Sequence, residues 1–140
     1  MSEVGRTQDV GYEVGVSKTF DATLDRVWQH LVSPAGFGTW VGAGARLPSG
    51  RGEQYQADDG TTGELRSLHT GDRIRATCRP PGWTHDTTIQ LTVRPAAGDR
   101  TTVRLHQEWL ADAHEREQQR EHWRAVMARL EQDLSIPTTE

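Results

Sequence analysis

Apolar residues recur along the chain in two rhythms. Over positions 10–20, Val10, Tyr12, Val14, Val16 and Phe20 are apolar at even positions, with Lys18 the exception, while Gly11, Glu13, Ser17 and Thr19 are not. A period of two predicts a strand with one buried face. Leu24, Val27, Trp28 and Leu31 then fall three and four apart, which predicts a short helix. Thr23 is its expected cap, and Asp25 sits in the first turn, where the helix dipole favours an acid. Ser33-Pro34 opens a second short helix, which Gly36 and Gly38 are expected to interrupt before Trp40.

Beyond Gly42 the period of two returns. Turn clusters at Pro48-Ser49-Gly50, Asp58-Asp59-Gly60, Thr70-Gly71-Asp72, Pro80-Pro81-Gly82 and Ala97-Gly98-Asp99 separate short alternating segments, the pattern of an antiparallel meander. Ile74, Ala76 and Cys78 share one face, opposite Arg73, Arg75, Thr77 and Arg79. Ile89, Leu91 and Val93 repeat the pattern, as do Val103, Leu105 and Trp109 against Arg104, His106 and Glu108. A sheet apolar on one side only is covered on one side only.

The cover is predicted at the end of the chain. Trp123, Val126, Met127, Leu130 and Leu134 form one helical stripe. Asp112 and Glu115 make an Asp-x-x-Glu variant of the capping box, and Ser135-Ile136-Pro137 stops the helix. A helix over 112–134 runs roughly 34 Å. Burying its stripe contributes on the order of 7 to 15 kcal/mol before entropy costs. The order of elements therefore predicts an α+β domain over residues 10–135, whose sheet curls around the terminal helix and leaves a space between them. The 14 glycines suit a strongly bent sheet. Residues 1–9 are expected to be a disordered lead-in and 136–140 a short tail.

Charge and composition narrow the partners. A formal net charge of -4 argues against nucleic acid. No apolar run approaches the ~20 residues of a membrane span, and the first nine residues lack a signal-peptide core. Cys78 is the only cysteine, so no internal disulfide forms. The simplest expectation is a cytoplasmic monomer or homodimer without a cofactor. Gly42-Ala43-Gly44 lacks the lysine and helix of a phosphate loop, and His114, Glu117 and Glu121 read as a solvated helix face rather than a metal site. Arg116, Arg120 and Arg124 lie at i, i+4 and i+8, either solvated or a docking strip for an acidic partner.

Strand register points to candidate chemistry. If Pro81-Gly82 is a two-residue loop, Cys78 faces His85, Ala76 faces Thr87 and Ile74 faces Ile89. An odd-length loop around Gly98 keeps Val93 and Leu91 in line with Val103 and Leu105. It sets Gln107 opposite Thr87 or Ile89 and Trp109 beside His85 or Thr87. A polar patch of Cys78, His85, Thr87 and Gln107 inside an apolar cavity follows. It admits a Cys78 nucleophile activated by His85, which lacks a third group to orient the imidazole. It also admits His85 and Gln107 hydrogen-bonding a ligand carbonyl or hydroxyl, and, as the ordinary explanation, a core whose polar groups satisfy one another. Trp28 and Trp40 are expected to pack between helices and sheet. Trp109, Trp123 and Met127 are expected to line the cavity with Leu65, Ile74, Ile89 and Leu130. A three-residue loop over 58–60 turns Tyr55 inward to join them; a two-residue loop turns Gln54 and Gln56 inward instead.

Several segments match a known family. Phe20-Asp21-Ala22-Thr23-Leu24-Asp25-Arg26-Val27-Trp28 looks like a first strand entering a "VW" helix, and Trp40 like a second-helix tryptophan. The stretch from Asp99 through Arg104-Leu105-His106-Gln107-Glu108-Trp109 looks like a penultimate strand, and His122-Trp123 with the leucines after it like a terminal helix. In these the chain resembles the START/SRPBCC (Bet v 1-like) helix-grip superfamily, and within it homologues of the C-terminal domain of the heat-shock-protein-90 ATPase activator. Asp99 stands where that family usually has glycine, Cys78 near a common sheet tryptophan, and Gln107 where a small or apolar residue is usual. None of the motifs is catalytic. The resemblance implies binding of a hydrophobic or amphipathic molecule, lipid-like or polyketide-like, between sheet and terminal helix. It also admits a co-chaperone domain that stimulates a chaperone ATPase and, third, a polyketide cyclase or aromatase.

Overall fold

The sheet has seven antiparallel strands in the order β1-β2-β7-β6-β5-β4-β3. These are β1 (Arg6–Thr7), β2 (Gly11–Phe20), β3 (Gln54–Gln56), β4 (Thr62–His69), β5 (Arg73–Cys78), β6 (Thr87–Ala96) and β7 (Arg100–Leu110). Helices α1 (Leu24–Val32) and α2 (Pro34–Trp40) follow β2, and α3 (Ala113–Ser135) closes the chain. This is the α+β helix-grip arrangement. The computed structural model describes residues 6–7 and 11–135. Most of the predicted lead-in, Val10 and the Ile136-Pro137 stop lie outside these residues. Arg6–Thr7, expected to be disordered, instead adds a short edge strand paired to Gly11 and Tyr12. Among the described residues no helix is long and apolar enough to cross a membrane.

Helix α3 packs on β2, β7 and α2. All five predicted stripe residues are buried, and Gln119 is buried one turn before them. Asp112 caps the helix by accepting the Glu115 N–H at 2.8 Å, while the Glu115 carboxylate accepts the Ala111 N–H at 2.8 Å. Thr23 caps α1 as predicted, accepting from the Arg26 N–H. Helix α2 corrects its expectation, because it runs through Gly36 and Gly38 to Trp40. A Cβ on Gly36 would stand 1.7 Å from the His30 carbonyl oxygen. That glycine lets α2 close on the end of α1, a packing role that outweighs its poor helix propensity.

Register differs from expectation in two places. In the β5–β6 hairpin Cys78 pairs with Thr87, Ala76 with Ile89 and Ile74 with Leu91, two residues from the predicted pairing with His85. Pro80 and Pro81 have no N–H to donate to a ladder, and Arg79 bridges to Thr62 of β4 instead. The loop therefore spans 79–86. The second difference is a bulge. Tyr12 pairs with Leu110 but Val14 with Gln107, so β7 carries one extra residue. Trp109 takes it up at φ 69° and Leu110 recovers the inward position. Trp109, expected in the cavity, is 49% exposed on the outer side, with its ring against Gly11.

Two other loops fall within the predicted alternatives. The three residues 97–99 join β6 to β7 and set Gln107 opposite Ile89. Gly98 and Asp99 both take positive φ there, and aspartate tolerates the left-handed region better than most side chains. Residues 58–60 form a three-residue loop closed by Ala57 N–H to the Thr61 carbonyl, which turns Tyr55 inward.

Candidate functional site

A chain of hydrogen bonds crosses the interior. The Trp123 indole N–H donates to Gln107 Oε1 at 2.7 Å, Gln107 Nε2 donates to Thr87 Oγ1 at 2.9 Å, and Thr87 Oγ1 donates to the Cys78 carbonyl at 2.5 Å. Gln107 has no solvent exposure. Its amide is oriented by an acceptor on β6, the Thr87 hydroxyl, and a donor on α3, the Trp123 indole, so its nitrogen and oxygen are both engaged within the protein. Tyr55 Oη donates to the Thr77 carbonyl at 2.7 Å. Among the described residues every buried side-chain polar atom has a partner.

Cys78 and His85 do not form a nucleophile pair. Burial pushes the Cys78 thiol up to about 12, with the Tyr55 hydroxyl only partly opposing that shift. His85 lies in the 79–86 loop, its Nε2 within 3.0 and 3.1 Å of the two Glu115 oxygens and its Nδ1 3.2 Å from the Asp86 carbonyl. It ties the loop to the start of α3. The folded Cys78 thiol holds its proton above its ordinary value of 9.0. Its contribution to stability is therefore complete below about pH 9 and is lost as pH rises towards 12. At pH 8 a thiol reagent is expected to modify the native protein roughly a thousandfold more slowly than the guanidinium-unfolded chain. Comparable rates in the two states would contradict this.

A cavity of about 280 Å³ opens between the N-terminal half of α3 and the loops at one end of the sheet. Cys78, Pro80, Pro81 and Trp83 form one wall, Asp59 and Thr61 the next, and Val41 a third. Gln118, Gln119, His122 and Trp123 close it from the helix. Trp83 packs on His85 with ring centroids 5.2 Å apart, so the His85–Glu115 contact also holds Trp83 over the opening. His122 meets the Trp123 ring edge-on at 4.7 Å. Desolvation by the cleft wall, reinforced by the Arg129 guanidinium, holds the His122 imidazole below its ordinary value, although the side chain keeps an exposed face.

Of the sequence candidates, Cys78 and Trp123 line this cavity. Tyr55, Leu65, Ile74, Thr87 and Ile89 are buried in the core behind it, with Gln107, Met127 and Leu130. His85 stands behind Trp83, and Trp109 is on the other side of the sheet. Trp83, Gln119 and His122 escaped the sequence analysis. Gln119 continues the stripe at four residues before Trp123, but its polarity hid it. An aromatic residue inside a Pro-Pro-Gly turn was the available signal for Trp83, since such a ring needs something to cover.

The family model described as Activator of Hsp90 ATPase homolog 1-like protein matches residues 21–135. Among solved structures, DynU16, a protein in the dynemicin biosynthetic locus, superposes with a TM-score of 0.75 at 21% identity, over 87% of this chain and 46% of its own. The chain thus spans under half of DynU16. An HSP90 activator from Plasmodium falciparum superposes with a TM-score of 0.75 at 12% identity, over 91% of this chain and 99% of its own. The Aha1 dimer from Colwellia psychrerythraea gives 0.71 at 15% identity, over 91% and 98%. At these identities the structures share a fold. No curated protein matches the chain. The family match runs from the residue after β2 to the end of α3, and the chain belongs to the Activator of Hsp90 ATPase homolog 1-like family, on the START/SRPBCC helix-grip fold.

Proposed function

We propose that the protein binds a small, largely apolar molecule in the cavity beneath the N-terminal half of α3. The observation that carries this is the meeting of Trp83 and Trp123 around a space of about 280 Å³ whose other groups include Gln119 and His122. Ligand sites are typically such apolar hollows with a few polar groups, and this one is at the small end of the range, near the size of a two-ring aromatic. A relative from a biosynthetic locus is in keeping with small-molecule binding. Titration with two-ring aromatics is expected to quench tryptophan fluorescence and raise the melting temperature. Trp83→Ala is expected to weaken binding about 10-fold, since a stacked aromatic contact contributes ~0.5–1.5 kcal/mol beyond its area. Trp83 is only partly buried, so the variant should fold normally. Unchanged affinity would remove the cavity from the function.

A second reading, a co-chaperone domain acting on an Hsp90-type ATPase, is favoured by the exposed Trp109, which the bulge holds outward on a surface away from the cavity. Its signature is ATPase stimulation that Trp109→Ala abolishes and Trp83→Ala leaves intact.

A further inference from the structure

A second hollow adjoins the cavity at His122. Val41, Asp59 and His122 line both, and the second, of about 550 Å³, extends along α2 and the 42–44 loop to Arg129. His122 and Arg129 are seven residues apart on α3, two turns and roughly 10 Å along one face. The combined cleft therefore has an aromatic end at Trp83 and Trp123 and a cationic end at Arg129. Arg129 is exposed to the cleft and makes no ion pair or hydrogen bond among the described residues. Three carboxylates stand around this hollow: Asp59 on the facing wall, its Oδ1 engaged by the Thr61 N–H at 2.8 Å; Asp58 against Gly44; and Asp133, one turn beyond Arg129, whose Oδ2 accepts from the Thr39 hydroxyl at 2.9 Å and contacts His30 at 2.9 Å.

We propose that the cleft takes a small amphipathic carboxylic acid, its aromatic or aliphatic body between Trp83 and Trp123 and its carboxylate on Arg129, about 10 Å away. This rests on the small-molecule reading above and adds the charge and length of the ligand. A guanidinium offers paired donors that match a carboxylate. One free guanidinium among these carboxylates suits a monoanion; a dianionic phosphate would meet net repulsion from Asp58, Asp59 and Asp133 once Arg129 was neutralised.

Calorimetric titration with 5-(2-naphthyl)pentanoate, whose extended chain spans that distance, and its neutral isostere 5-(2-naphthyl)pentanamide tests this. The protein is expected to bind the acid about 10-fold more tightly than the amide, the increment of one charge-assisted hydrogen-bonded contact. Arg129→Gln should remove the preference by weakening the acid alone, and Asp59→Asn should tighten the acid a few-fold without changing the amide. Equal affinity for the two probes, or an Arg129→Gln variant that weakens both alike, would overturn the proposal and leave the small-molecule site standing. Failure of both probes to bind would remove the site and the proposal together.

Discussion

Gly63→Ala is expected to destabilise the protein by about 3 kcal/mol or more, the upper range for overpacking a core, and to lower its melting temperature by about 10 °C. Gly63 pairs with Tyr55 across β3 and β4. The Tyr55 side chain crosses directly over it to reach the Thr77 carbonyl. A Cβ at Gly63 would stand 2.1 Å from that carbonyl oxygen, 2.3 Å from the Tyr55 hydroxyl and 2.4 Å from its ring. The oxygen belongs to the β5 backbone and cannot move without disturbing the sheet, and Tyr55, 5% exposed, has nowhere to swing. Gly63 has an ordinary negative φ, so the need for glycine is one of space. Tyr55→Phe, which loses only the hydrogen bond, should cost about 1 kcal/mol. Tyr55→Leu combined with Gly63→Ala should be more stable than the sum of the two single changes, because the clash disappears with the ring. A Gly63→Ala protein melting within 3 °C of the parent would contradict this packing.

The second large effect is expected at Gln107. Gln107→Leu keeps the volume but strands the buried Trp123 N–H and removes a donor from Thr87 Oγ1. At roughly 1–3 kcal/mol for a buried group left unpaired, a loss of ~2–4 kcal/mol is expected in denaturant melts. Gln107→Glu should behave differently with pH. Protonated, the new carboxylic acid can accept from Trp123 and donate to Thr87, as the amide does. Ionised, it places an unpaired charge at a position with no exposure. Burial raises the acid's folded pKa above its unfolded value, so the variant should lie closest to the parent near pH 4 and lose stability as pH rises. If Gln107 served a ligand alone, both variants would melt like the parent.

Much of the architecture is legible in one-dimensional patterns. The stripe from Trp123 to Leu134 and the alternation through Ile74–Cys78, Ile89–Val93 and Val103–Leu105 name the buried faces, and all these positions lie in the core. Thr23 and Asp112 mark two helix starts, because a cap is chosen by the adjacent backbone N–H groups. The pairing of Cys78 was not legible. A hairpin shifted by two residues keeps every side chain on the same face, so Thr87 and His85 are equivalent to any argument from alternation. Two prolines and the bridge from Arg79 to Thr62 made the choice, and the bridge comes from another strand. Trp109 escaped for a related reason. The alternation runs through Gln107 without interruption, and only pairing with β2 reveals the extra residue that turns the ring outward.

The sequence by itself determined which elements form, in what order, and which face of each is buried, since these follow from periodicity within a single segment and from local capping chemistry. Tertiary structure decided what meets across the interior: Gln107 between Trp123 and Thr87, Trp83 over the cavity mouth, and Arg129 two turns beyond it. Those juxtapositions depend on loop length, on a bulge and on how closely glycine lets neighbouring backbones approach. Each of these is fixed only when segments distant in sequence pack together.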